Sequence, residues 1–200
     1  MITIDLGSGI VATITLIWLT YLGWKRGFRF MLSIAIFTTI AYLLTVSAGT
    51  FLVGFVNRVY TNLPRLGAFA LGRDPGTIGQ FDPLIPDNFQ SPLLLRVLVF
   101  VALLAVGIGY NWPWEAKVKP GDRKMELLGA LTGLYIGVLS ISAVATFWGQ
   151  TDGTLGLPNP VIAALNAFPD FSGIIPSTIT AFFILLVVII LLRFNQVWKP

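Results

Sequence analysis

Residues 127–148 read LLGALTGLYIGVLSISAVATFW, a run without one charged side chain. An apolar stretch of about 18 residues or more is long enough to cross the hydrocarbon core of a bilayer as a helix. Within it Gly129, Gly133 and Gly137 recur at every fourth position, with Ser140 continuing nearly the same face. On a helix that spacing forms a stripe of small side chains, where a second backbone can come close enough for dispersion contacts and weak backbone hydrogen bonds. The run therefore predicts a membrane-spanning helix with a built-in packing face, serving either an internal seam or a homodimer. Ala105 and Gly109, in an earlier apolar run, offer a small-residue face to meet it.

Four further runs bounded by charge, proline or glycine have similar length: about 6–24, 30–47, 92–110 and 174–192. The chain has 200 residues, 56% hydrophobic and only 11% charged, where a soluble domain carries about 25% charged residues. A soluble enzyme is excluded on that composition. The expected fold is all-α, one integral membrane domain over residues 1–200, with about five spans and one or two outer interfacial helices. The last run contains AFFILLVVIILL at 181–192, with no small face after Ala181, and is expected at the periphery against lipid. The first run is expected to stay in the membrane and not to act as a signal peptide, because its basic residues follow the apolar stretch and Asp5 precedes it.

The distribution of Lys and Arg orients the spans. Lys25, Arg26 and Arg29, then Lys117, Lys119, Arg123 and Lys124, then Arg193 and Lys199 fall on one side of a five-span chain, nine of thirteen positive residues. The positive-inside bias makes that side cytoplasmic, with the N-terminus outside and the C-terminus inside. Lys25 and Arg26 hold the first turn at the cytoplasmic face, Gly27 permits a sharp reversal and Phe28 anchors at the interface. Arg123 and Lys124 do the same for the fourth span, after a cap at Asp122. Trp24, Trp112, Trp114 and Trp198 fall at cytoplasmic ends, and Trp148 at an outer end.

Two connections are more than simple turns. Leu52, Phe55, Val56, Val59 and Leu63 recur at helical spacing opposite Thr50, Asn57, Arg58, Thr61 and Asn62. Residues 50–63 therefore read as an amphipathic helix in the outer interface, or as the end of a long, tilted second span. The outer loop, 64–90, is rich in proline and glycine and too long for an ordinary connection. Its Phe69, Phe81, Ile85 and Phe89 are expected to dock on the protein's own outer face or on another subunit. Asp74, Asp82 and Asp87 lack calcium-loop spacing. In the fourth connection, Asn159-Pro160 opens a second short interfacial helix ending at Pro169.

There is no cysteine and no histidine. Thiolate chemistry, iron–sulfur ligation and imidazole ligation of haem, pigment or zinc are thereby removed, along with the usual neutral-pH general base. No catalytic, cofactor-binding or metal-binding set is expected, and no intrinsic cofactor beyond lipid contacts. The positive charge marks topology and does not point to nucleic acid. Arg96 is the nearest thing to an intramembrane charge; one turn inside the third span, it is able to snorkel to the outer headgroups. All nine carboxylates map to ends or connections, which counts against a proton relay or ion-coupled transporter.

Ile4-Asp5 before the first span, Arg26-Gly27-Phe28 in a basic turn, and Asp122-Arg123 leading into Gly129, Gly133 and Gly137 together resemble the colicin V production (CvpA) family of bacterial inner-membrane proteins, over about residues 1–150. The resemblance implies a small multi-pass protein of the bacterial cytoplasmic membrane with no established catalytic activity, linked to envelope processes. The fifth span and the long outer loop depart from that family. The residues lead to a non-catalytic membrane scaffold or assembly protein whose partners are lipid and other membrane subunits or further copies of itself. The alternative is an accessory subunit of a larger respiratory, photosynthetic or transport complex. A channel or transporter component would need several copies to line a polar path.

Overall fold

A single residue separates the first two helices. Gly27 has φ 80° and ψ 170°, a backbone region essentially confined to glycine, and α1 (Leu6–Arg26) ends there as α2 (Phe28–Tyr42) begins. The computed structural model describes residues 6–79, 81–86, 90–110, 123–151, 162, 171 and 173–197. The remaining helices are α3 (Gly49–Ala70), α4 (Gln90–Tyr110), α5 (Arg123–Gly149) and α6 (Ile175–Val197), and no strand occurs among the described residues.

Phe28–Ser47, Pro92–Tyr110 and Met125–Gly149 are long and apolar enough to cross a membrane, and Ile175–Ile189 is a shorter apolar stretch. α5 is the central element, with 61% of its apolar window buried inside the protein, against 11% for α4. α1 and α2 pack on α5, and α4 packs on α2. The core draws Met31, Ile34, Ala35 and Tyr42 from α2, Phe100 from α4, Ile136, Leu139 and Phe147 from α5, and Phe182 from α6. α6 exposes Phe183, Ile184, Val187 and Leu191, as its lack of a small face anticipates.

α2 does not run on into α3. Residues Leu43–Ser47 form a π-turn, closed by the Ala48 N–H donating to the Leu43 carbonyl at 2.8 Å. Ala48 then leaves helical geometry at φ −113°, ψ 29°, so the helix is interrupted between the second apolar run and α3. α3 is longer than its pattern indicates, passing through Pro64 to Ala70, and the connection after it begins at Leu71. Proline removes one N–H from the ladder, and here the residue whose carbonyl loses that donor, Tyr60, is exposed. Asn62 Nδ2 and Thr61 Oγ1 donate to the Arg58 and Asn57 carbonyls, bracing that same turn.

Phe69 therefore lies on a helix, 72% exposed, and Phe81 is exposed as well. Among the described residues of this connection Ile85 is docked, buried and held through its backbone: Asn57 Nδ2 donates to the Ile85 carbonyl at 3.0 Å and the Ile85 N–H donates to Asn57 Oδ1 at 2.9 Å. One amide side chain thus satisfies a whole backbone unit of the connection, while Phe69 and Phe81 are not docked on the chain's own outer face. Asp74 closes a local turn, its Oδ1 accepting from the Gly76 N–H at 2.9 Å. Phe89, Asp5, Asp87, Asp122, Trp112, Trp114, Trp198 and the helix expected after Asn159 lie outside the described residues, Ile162 apart.

Candidate functional site

The glycine stripe of α5 is occupied by α1. A Cβ at Gly129 would stand 2.3 Å from the Gly23 carbonyl oxygen, one at Gly133 would stand 2.2 Å from the Leu19 carbonyl oxygen, and one at Gly137 would stand 2.9 Å from Leu16 Cδ2. The pairing order makes the two helices antiparallel and brings their backbones into direct contact at the first two positions. α1 contributes Gly23, whose own Cβ would lie 2.1 Å from the Gly129 carbonyl oxygen. Sequence reasoning missed Gly23. Its signal was the spacing of four to Gly27, hidden because Gly27 reads as a turn residue.

Ala105 and Gly109 do not meet the stripe. Both are exposed, and nothing lies within 4 Å of a Cβ placed at Gly109. The close approach on α4 is made by Gly107, where a Cβ would come 2.8 Å from Phe37 Cβ. Ser140 is partly buried and lines a cleft instead of the seam. Lys25 and Arg26 are exposed at the end of α1, beside the first turns of α5, which Arg123 and Lys124 open. Phe28 is buried at 6% exposure and is part of the core, not an interfacial anchor: starting α2 one residue after the reversal at Gly27 turns it inward.

Hydroxyls pin α2 to α5. Thr39 Oγ1 donates its one proton to the Ala35 carbonyl at 2.7 Å, so in the 2.7 Å contact between Thr39 and Tyr135 the tyrosine hydroxyl is the donor. Tyr42 and Ser142 form a longer contact at 3.3 Å, and the Tyr135 ring stacks on Phe182 of α6 with centroids 4.1 Å apart. Thr38 and Thr45 return their hydroxyls to carbonyls four residues back. No buried side-chain nitrogen or oxygen among the described residues lacks a partner.

The most concentrated polar site is at Arg96. Its guanidinium is partly buried and bonded within the protein: Nε donates to the Thr45 carbonyl, Nη2 to the Val46 carbonyl at 3.5 Å and Nη1 to Gln150 Oε1 at 2.8 Å. The Phe147 ring lies beneath, 5.6 Å from centroid to Cζ. Two of the three acceptors are backbone carbonyls just before the break at Ala48, so the cation caps a helix end whose ladder has been interrupted. Gly49 makes room for it, since a Cβ there would meet Arg96 Nε at 2.3 Å. One side chain thus ties the end of α2, the start of α4 and the end of α5. Among the described residues these recorded partners are neutral.

Two ends of the helical body follow from these contacts. Gly23 and Gly27 with Gly129 mark one end, which carries Lys25, Arg26 and Arg29; Thr45, Arg96 and Gln150 mark the other, where α3 departs. No group of three or more His, Cys, Asp or Glu side chains able to hold a metal forms among the described residues. Comparison with known families, curated proteins and solved structures finds no match.

Proposed function

We propose that this protein is a non-catalytic, multi-pass scaffold or assembly protein of the bacterial cytoplasmic membrane, working through helix–helix contacts and its outer connection. In this reading α1 and α6 cross the bilayer together with the three long apolar helices, giving five spans with the N-terminus outside and the C-terminus inside. The two-ended arrangement supports it: Lys25, Arg26 and Arg29 gather at the end where α5 begins, and α3 leaves from the opposite end with Phe51, Phe55, Leu63 and Leu66 exposed along one face. A helix so patterned lies in the headgroup region with its apolar face toward acyl chains. The resemblance to the colicin V production family rests on the basic turn and on the approach to the glycine stripe, and it supports the same localisation.

The observation that carries a scaffold role is the outer face of α1. With Gly129, Gly133 and Gly137 filled from within the chain, partner contacts fall to another surface. Ile10, Ile14, Ile17, Tyr21 and Trp24 follow alternating spacings of four and three, and they are 56%, 60%, 63%, 55% and 45% exposed. Alternating four and three is the period of a helix–helix seam. Extraction in mild detergent followed by mass measurement tests the reading. A second copy or a small set of partners is expected on this face, released by Ile14→Ala with Ile17→Ala while the protein stays folded. A monomer unaffected by the pair of substitutions contradicts it. A fixed stoichiometric complex with unrelated subunits replaces it with the accessory-subunit reading.

A further inference from the structure

A cleft of about 380 Å³ opens between α1 and α4, floored by α2 and α5. Its volume lies in the range of about 300–1,000 Å³ usual for small-molecule sites. Leu22, Phe30, Ile34, Leu104 and Ile136 form its walls. Among the described lining residues only Arg26 is charged, and Ser140 is the one neutral polar side chain. Arg26 stands over the Phe30 ring, its Cζ 5.4 Å from the centroid, with Lys25 and Arg29 exposed alongside. The length is informative. The turn after Arg26 sits against Gly129, and from Gly129 to Ser140 α5 rises about 16 Å at about 1.5 Å per residue. That is about half of a roughly 30 Å hydrocarbon core, the depth of one leaflet.

We propose that this cleft holds one acyl chain of an anionic phospholipid from the leaflet on the Arg26 side, with the Arg26 guanidinium on its phosphate. The planar fork of five N–H donors matches phosphate oxygens, and the apolar walls take the chain down toward Ser140. A lipid so placed covers Leu22 and Leu104 together and bridges α1 to α4. The site rests on the membrane reading and is independent of the scaffold role.

The test uses the full chain in nanodiscs of equimolar phosphatidylethanolamine and phosphatidylglycerol, with retained lipid counted by native mass spectrometry. The wild type should keep one lipid per chain, with phosphatidylglycerol favoured about fivefold, the preference one basic residue confers near a membrane surface. Arg26→Gln should retain a lipid with that preference reduced to about one. Leu104→Trp, which fills the cleft, should carry none; should it not fold, Ile108→Trp at the exposed rim makes the same test. A bare wild-type chain, equal retention of both lipids, or an unchanged preference in Arg26→Gln overturns the proposal. Retention of added oleate in place of phospholipid overturns the choice of ligand. Failure of the chain to enter discs at all is seen at assembly and overturns the membrane reading itself.

Discussion

Gly133→Ala adds one methyl group where α1 and α5 touch. The new Cβ would lie 2.2 Å from the Leu19 carbonyl oxygen and 2.9 Å from its carbon. Relief requires the two helices to part by about 1 Å, because the obstacle is backbone and no rotamer change removes it. A gap of about 0.5–1 Å forfeits a quarter to a half of each dispersion contact it opens, and overpacking typically costs about 1–3 kcal/mol. With the neighbouring Gly129–Gly23 contact strained as well, the upper end, about 3 kcal/mol, is expected. The stripe should be graded. Gly129→Ala and Gly23→Ala meet carbonyl oxygens at 2.3 and 2.1 Å and should be equally severe, whereas Gly137→Ala meets only the tip of Leu16 at 2.9 Å and should cost about 1 kcal/mol or less. Gly54→Ala on α3, with nothing within 4 Å, should be neutral or stabilising through helix propensity, by up to about 1 kcal/mol. Unfolding in dodecylmaltoside titrated with dodecyl sulfate, followed by helical circular dichroism, measures the series. Gly133→Ala unfolding with the wild type, or no harsher than Gly137→Ala, refutes the backbone-contact argument.

Three other substitutions probe the polar sites. Arg96→Met should destabilise the protein by about 2–4 kcal/mol, since it strips charged donors from Thr45, Val46 and Gln150 at once; Gly49→Ala should reproduce part of that loss by displacing the side chain, and the same unfolding assay reads both. Tyr135→Phe should cost only about 0.6 kcal/mol, because Thr39 keeps its bond to Ala35 and interhelical hydrogen bonds in membranes are modest; a loss above about 2 kcal/mol would show that more depends on this hydroxyl. Asn57→Ala should free the Ile85 backbone and speed proteolysis between Phe81 and Pro86 without changing helix content.

The helices were legible where hydrocarbon forbids charge, and their ends shifted where backbone chemistry decides. The long apolar runs announce themselves because any charge within them is expensive. Pro64 reads as a stop, yet a helix with an exposed face tolerates the missing donor there, so α3 carries on to Ala70. The Gly129–Gly137 stripe was visible as a face, but spacing along one helix does not name its mate: Ala105 and Gly109 have the right residue types, while Gly23 on α1 has the right position. Arg96 was recognisable as unusual. Its role was not, because two of its three acceptors are main-chain carbonyls of a π-turn, and carbonyls leave no mark in a sequence. Ile85 was among the residues expected to dock, but the means was not legible for the same reason, since the group that binds it is an amide reading two backbone atoms.

The natural absence of cysteine makes one measurement especially direct. Single-cysteine variants Arg29→Cys, at the end where α1 meets the start of α5, and Arg73→Cys, just past α3, place one reactive thiol at each end of the helical body. Intact cells with a permeabilised outer envelope are treated with a membrane-impermeant maleimide, before and after lysis of the cytoplasmic membrane. A multi-pass protein oriented by its positive turns predicts labelling of Arg73→Cys from outside and of Arg29→Cys only after lysis. Labelling of both from the same side, or of Arg29→Cys alone from outside, contradicts it.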